Sequence, residues 1–282
     1  MKLPVQYVSP KEALSVIQSG NRVFVQGSAH TPTYMLRHLA EEAPRLRDVE
    51  VVSITLYGDV YLNKPEYKDS FRINSLFVSE PIRHSVNDGH ADYVPVFLSE
   101  IAELFKRNIL PLDVAILTVS PPDEHGYCSL GVSVDIIKSA INASRIVIAQ
   151  INPAMPRTHG DGFIHIRQID FLVEVNQALP EVSYSKEMTP VDLQIARHCA
   201  SVIEDGSTLQ MGIGCVPDAV LHELRNHKDL GIHTEMFSDG VIDLLETIEA
   251  DTVAEMEYLL GRPINLESDN RFNQEQYDIL LD

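Results

Sequence analysis

Two stretches, "VAILTV" at 114–119 and "IVIAQI" at 146–151, restrict the fold more than any other feature of the chain. Each is apolar almost throughout instead of alternating apolar with polar residues, so neither offers a face that water can occupy. Strands of this kind belong to parallel sheets covered by helices on both faces. Around them, short β-rich runs alternate with amphipathic stretches. The helix "TPTYMLRHLAEEAPRL" follows the strand "RVFVQGS", and the strand "VEVVSITLYG" follows that helix. The period continues through "SLFVSEPIR", the helix-like "PVFLSEIAELFKRN", the strand "LDVAILTVSP", a helix across "VDIIKSAINAS" and the strand "RIVIAQIN". Near the N-terminus, "SPKEALSVIQSG" opens on a Ser cap with Pro10 behind it and closes on Gly20, so a helix is expected across it. The expected fold class is α/β, with a largely parallel sheet flanked by helices.

The second half repeats the alternation once. "FLVEV" reads as a strand, and "TPVDLQIARHCASVIEDG" as a helix capped by Thr189 with Pro190 at its first position. "STLQMGIG" is then a strand entering a glycine turn, "VPDAVLHELRNH" a helix opened by Pro217, and "LGIHTEM" a strand carrying Glu235. From residue 243 the chain holds eleven acids against two bases, a composition shift that marks a boundary.

Charge and cysteine usage narrow the function classes. Lys and Arg number 22 against 41 Asp and Glu, a net charge of -19, and no basic run could track a phosphate backbone. Nucleic acid is therefore not an expected partner. Cys128, Cys199 and Cys215 are odd in number, far apart and outside any CxxC spacing, which indicates neither a disulfide framework nor a structural zinc site. The N-terminus has no apolar signal-peptide core, and no run approaches the roughly 18 apolar residues of a membrane span. A cytoplasmic protein without membrane attachment is expected.

The chemistry concentrates in two segments, "QMGIGCVPDAV" and "GIHTEMFSDG". Gly212 and Gly214 permit a tight turn and close backbone approach, so the turn is either a plain strand–helix corner or one whose amides, from Gly212 through Ile213, Gly214, Cys215 and Val216, face an anion at the helix start. In a parallel sheet, adjacent strands deliver their C-terminal ends to one crevice, so Glu235 and this turn can meet. A carboxylate opposite an oxyanion-stabilising turn can attack an activated acyl group. Other segments carry weaker signals. "QGSAHTP" places Gln26, Gly27 and Ser28 between a strand end and a helix start, where amides either bind an anion or merely cap the helix. The trio His159, Asp161 and His165 has the residue types of a metal site, yet no further matching ligand is visible and a polar Gly-rich loop accounts for it, so no metal is expected. Cys128 reads as a small buried residue rather than a nucleophile.

Four stretches also carry a resemblance: "DYVPVFLSEI" (92–101), "VSPPDEHGYCSLGVSVD" (119–135), "INPAMPRTHGDGFIHIRQID" (151–170), and "MGIGCVPDAVL" with "LGIHTEMFSDGVIDL" (211–244). Together they resemble the acetyl-CoA hydrolase/transferase family over about residues 1–245, which includes acetate, butyrate and 4-hydroxybutyrate CoA-transferases. The resemblance implies a CoA-transferase-like domain with Glu235 as nucleophile and Arg157 and His159 near the substrate. It implies coenzyme A as the substrate thioester, a small carboxylic acid as acceptor, and transfer through a glutamyl-CoA thioester, with acyl-CoA hydrolysis where water intrudes. Resembled enzymes continue after "SDGVIDL" into a second domain with CoA-binding glycine-rich loops, and the resemblance leads us to expect that domain to be truncated here. The expected divisions are 1–225 as the N-terminal domain, 226–245 as the start of the second domain, and 246–282 as an unrelated acidic tail. Text in that tail, "LGRPINLES" and "RFNQEQYDILL", resembles the C-terminal segment of ribonuclease E/G-type proteins. A surface meant for the missing domain should be apolar, so a homo-oligomer is expected. The other reading is a truncated, non-catalytic remnant that binds CoA weakly or only a protein partner.

Overall fold

A computed structural model describes residues 6–182 and 188–244; the expected acidic tail at 246–282 lies outside the described residues. Contacts divide the chain into two compact units, residues 1–182 and residues 183–282. The expected boundary at 225 lies within the second of these units. The helix and strands after 188 gather around their own core, and the βα period alone carries no mark of that change.

The first unit is built on seven strands: β1 (Arg22–Val25), β2 (Val49–Ser53), β3 (Phe71–Ser75), β4 (Ala91–Tyr93), β5 (Leu112–Val119), β7 (Ser144–Ile151) and β9 (Phe171–Glu174). They form one sheet in the order β4-β3-β2-β1-β5-β7-β9, and every pairing in it is parallel. A small antiparallel pair, β6 (Tyr127–Ser129) with β8 (Phe163–His165), stands apart from the sheet. Among the described residues, its α-helices are α1 (Pro10–Leu14), α2 (Thr33–Glu41), α3 (Glu80–Asn87), α4 (Leu98–Lys106) and α5 (Ile137–Ala143).

The continuous apolar runs are explained by two cores, one on each face of the sheet. Val23 and Val25 of β1, Val114 and Ile116 of β5 and Ile148 of β7 join α1, α2 and Ile82 of α3 on one side. Phe24, Ala115, Leu117, Val119, Val147, Ala149 and Ile151 join α4 and α5 on the other. Alternate residues thus enter opposite cores, and each fully buried aliphatic side chain contributes roughly 1.5–3 kcal/mol.

Two local expectations are corrected. Helix α1 ends at Leu14 instead of running towards Gly20, because the Ser15 hydroxyl donates to Glu12 O at 2.7 Å and the Ile17 amide reaches back only to Leu14 O. The period expected to continue through "SLFVSEPIR" adds no strand residue beyond Ser75: β3 ends there, and Glu80 opens α3. The strand lies upstream in "FRINS", where Asn74 donates to Glu50 at 2.6 Å and Arg72 pairs with Asp92.

The second unit contains α6 (Pro190–Ala200), α7 (Cys215–Glu223), and a two-stranded parallel sheet of β10 (Thr208–Leu209) and β11 (Gly231–Ile232). Helix α6 starts as expected, with Thr189 and Asp192 forming a reciprocal capping box and Pro190 at its first turn. Ala200, Leu209, Met211, Leu221, Leu224, Val241 and Leu244 make its core.

Candidate active site

In the second unit, the glycine turn and Glu235 leave adjacent strands at the same end. Strand β10 runs into Met211 and the turn, while β11 runs into His233, Thr234 and Glu235. Main-chain pairing continues one step beyond the strands, where the His233 amide donates to Leu209 O at 2.9 Å. Thr234 then takes over with its side chain. Its hydroxyl accepts from the Met211 amide at 3.1 Å and donates to Met211 O at 2.8 Å. Glu235 is therefore not inside a strand, as the sequence pattern suggests, but in a bend three residues past one, with its side chain exposed.

The turn itself needs its glycines. Gly214 adopts φ +123°, a conformation that side-chain-bearing residues rarely take, and immediately caps α7. The helix begins at Cys215, so Pro217 occupies its third position rather than its first. Amides at a helix start have no partner within the helix, and the first turn of α7 lies directly after Gly212 and Ile213. On the far side of the loop, Gly240 lies so close to α7 that a Cβ there would sit 2.9 Å from Leu221 Cδ1. The segment carrying Glu235 is thus held at both ends.

Gln26, Gly27 and Ser28 lie in the first unit, just after β1. That strand is the point where the chain, having built β2, β3 and β4 to one side, returns to place β5 on the other. Open parallel sheets bind ligands at such a switch point. Gln26 is fully buried; its Nε2 donates to Ser133 O at 3.2 Å and reaches Asp135 Oδ1 at 3.4 Å, while Oε1 is buried without a hydrogen bond. Asp135 keeps exposed surface, yet desolvation of its carboxyl pushes the pKa up, against hydrogen bonds from the Ile136 amide and Gln26. Ser28 has φ 56°, and its hydroxyl pairs with that of Thr55 at 2.9 Å.

His30 is a further residue of this end, with no signal in the sequence pattern. It is fully buried, with Nδ1 3.0 Å from Ser133 O and Nε2 on Thr118 O. Desolvation lowers its pKa to about 4, outweighing the upward pull of the Ser133 carbonyl. The unfolded chain therefore binds a proton below its ordinary value of about 6.5 that the native chain refuses until about pH 4. Stability from the neutral ring is present above pH 6.5 and is lost as pH falls through that window, by about 3 kcal/mol in total. Urea unfolding at pH 7.5 and pH 4 should show a smaller acid loss in a His30→Gln variant than in the wild type; equal losses would place the sensitivity elsewhere.

Arg157 and His159 lie on the loop before β8. Arg157 is already engaged: it donates to Asp123 at 2.6 Å and Tyr127 O at 3.1 Å, and stacks 4.7 Å from the Phe163 ring. His159 is exposed with its ring edge-on to Phe163. Asp161 pairs with Lys138, and His165 accepts from the Arg167 amide while its Nε2 meets His125 O. The trio with metal-ligand residue types thus goes to separate partners. Cys128 is fully buried, and desolvation pushes its thiol up to about 12, which suits a packed residue and not a nucleophile. No helix among the described residues is long and apolar enough to cross a membrane.

Known proteins resemble this chain over most of its length. A 4-hydroxybutyrate coenzyme A transferase of Clostridium kluyveri is 44% identical over 239 residues, covering 85% of this chain and 56% of that protein. A succinyl-CoA:acetate/propanoyl-CoA:succinate CoA transferase of Fasciola hepatica is 41% identical over 238 residues, covering 83% of this chain and 49% of its own length. The chain thus spans about half the length of these relatives. Among solved structures, RipA from Yersinia pestis matches with a TM-score of 0.78 at 32% identity, over 86% of this chain and 59% of that one. A 4-hydroxybutyrate CoA-transferase from Porphyromonas gingivalis matches with a TM-score of 0.72 at 35% identity, over 85% of this chain and 56% of that one. The model of the acetyl-CoA hydrolase/transferase N-terminal domain matches residues 3–182, and the chain belongs to that family.

Proposed function

We propose that the chain moves CoA between a short-chain acyl-CoA and a small carboxylic acid, with Glu235 as the nucleophile. One observation carries this reading: parallel pairing of β10 with β11, prolonged by Thr234, brings the Glu235 bend beside the Gly212–Val216 turn. The relatives' names, which are those of CoA-transferases, supply the reaction class.

The Glu235 carboxylate attacks the thioester carbonyl, and the C–S bond breaks to give an acyl-glutamyl anhydride and CoA thiolate. Thiolate attack on the glutamyl carbonyl then expels the acyl group as a free carboxylate and leaves a glutamyl-CoA thioester. An incoming carboxylate attacks that thioester to form a second anhydride. The released thiolate takes the new acyl group and frees Glu235. Each attack puts negative charge on a carbonyl oxygen, and we assign its stabilisation to the turn Gly212, Ile213, Gly214, Cys215 and Val216; one oxyanion donor is worth about 3–4 kcal/mol in comparable sites. Carbon–sulfur and carbon–oxygen exchange balance throughout, so the steps call for no metal or redox partner.

Exposure of Glu235 favours a second reading, in which water intercepts the anhydride or the glutamyl thioester and the chain hydrolyses acyl-CoA. Incubation with butyryl-CoA and carbon-13 acetate, with products weighed by mass spectrometry, separates the two. Labelled acetyl-CoA and butyrate in equal amounts are expected for transfer, whereas free CoA with butyrate and no labelled thioester marks hydrolysis. Borohydride added during turnover should reduce the glutamyl thioester to an alcohol, with a small mass loss confined to the Glu235 peptide. Folded protein that gives neither products nor a mass change would be a non-catalytic remnant, binding CoA weakly or a protein partner.

A further inference from the structure

We infer that Thr234 is a positioning residue for Glu235, its hydroxyl replacing the β-ladder where the glycine turn begins. This inference rests on Glu235 being the nucleophile. The sheet beneath it is small: among the described residues, Thr208↔Gly231 and Leu209↔Ile232 are its registered pairs. After the His233 amide bonds Leu209 O, the two main chains make no further backbone pair among the described residues. Thr234 closes that gap by holding both polar groups of one residue, accepting from Met211 N–H and donating to Met211 O. A hydroxyl has one proton to give and lone pairs to receive, so both bonds can exist together.

The position of this clasp gives it a consequence for chemistry. Thr234 immediately precedes Glu235, and Met211 immediately precedes Gly212, so the paired residues are the last fixed points before the nucleophile and before the turn. Glu235 itself has an exposed side chain, and its place is set by its neighbours. Thr234 is half-buried, Met211 lies in the core of the unit, and Gly240 on the other side is packed against Leu221. Loss of the hydroxyl frees the upstream end of the bend while the core contacts of Met211, Val241 and Leu244 persist. A displacement of about 1 Å at a reacting group can cost on the order of 100-fold in rate.

Thr234→Val removes the hydroxyl at nearly constant shape, and Thr234→Ser restores it. Two readouts are made on the full 282-residue chain: the rate at which borohydride-trapped adduct forms at Glu235 over a range of butyryl-CoA concentrations, and hydrogen exchange of the Met211 amide by NMR. The valine variant should exchange Met211 about tenfold faster and form adduct roughly 30–100-fold more slowly, with the half-saturating concentration within about threefold of wild type. The serine variant should return both rates to within about threefold. Unchanged Met211 exchange in the valine variant would remove the clasp, and faster exchange with an unchanged adduct rate would remove the positioning role. A serine variant as slow as valine would assign the effect to packing of the methyl group. Absence of adduct in the wild type would instead refute Glu235 as nucleophile, and the positioning role with it, even where Met211 exchange responds.

Discussion

Glu235→Gln should lower the exchange of CoA between butyryl-CoA and acetate by about 1,000-fold or more. An amide of the same shape cannot form the anhydride, and removal of a covalent nucleophile commonly costs several powers of ten. Stability should stay within about 0.5 kcal/mol of wild type, because the side chain is exposed and has no hydrogen bond or ion pair among the described residues. The two effects together matter more than either one. A large loss of rate in a protein with an unchanged urea midpoint isolates chemistry from folding. Glu235→Ala, run in parallel, removes any background from deamidation of glutamine to glutamate. Exchange within tenfold of wild type in both variants would hand the acyl transfer to a different group.

The sheet and the neighbourhood of Glu235 were legible for different reasons. Val114 through Val119 and Ile146 through Ile151 advertise two covered faces because a parallel strand sends alternate side chains into separate cores, and both cores here are apolar. The start of α6 was legible because Thr189, Pro190 and Asp192 satisfy first-turn amides by local contacts alone. That the segments after β10 and β11 leave on the same side followed from chain direction, since parallel strands end together.

What escaped the sequence depends on partners distant along the chain. Strand β3 was hidden because Arg72 and Asn74 look solvated until Asp92 and Glu50 stand beside them. Burial of His30 depends on Thr118 O and Ser133 O, which nothing in "QGSAHTP" announces. Thr234 reads as one more polar residue in a strand until the register sets it against Met211. The division at 182/183 is silent for a related reason: helices and strands alternate with the same period on both sides, although Leu209, Met211, Leu221 and Leu224 belong to a core of their own.

Gly27→Ala should be strongly destabilising, costing about 3–5 kcal/mol. A Cβ at this position would lie 1.9 Å from Thr55 O, 2.9 Å from Thr55 C and 3.1 Å from Thr55 N. All three atoms are main chain, so no rotamer change relieves the clash. The same carbonyl accepts the Ser28 amide at 2.7 Å, and the Ser28 and Thr55 hydroxyls meet beside it, so moving Thr55 breaks contacts that hold the switch-point loop. Moving Gly27 instead disturbs β1, which is paired to β2 on one side and β5 on the other and feeds both cores. A domain has only about 5–15 kcal/mol of net stability, so such a loss should appear as a large fall in the urea midpoint. Gly20→Ala is the matched comparison: it has open space around its Cβ position but a φ of +78°, and the left-handed backbone alone should cost about 1–2 kcal/mol. A midpoint for Gly27→Ala no lower than that of Gly20→Ala would mean that β1 and the Thr55 segment can separate cheaply. The close approach at the switch point would then be a loose contact, and Gln26 and Ser28 would lose the rigid frame that makes them candidates for holding a ligand.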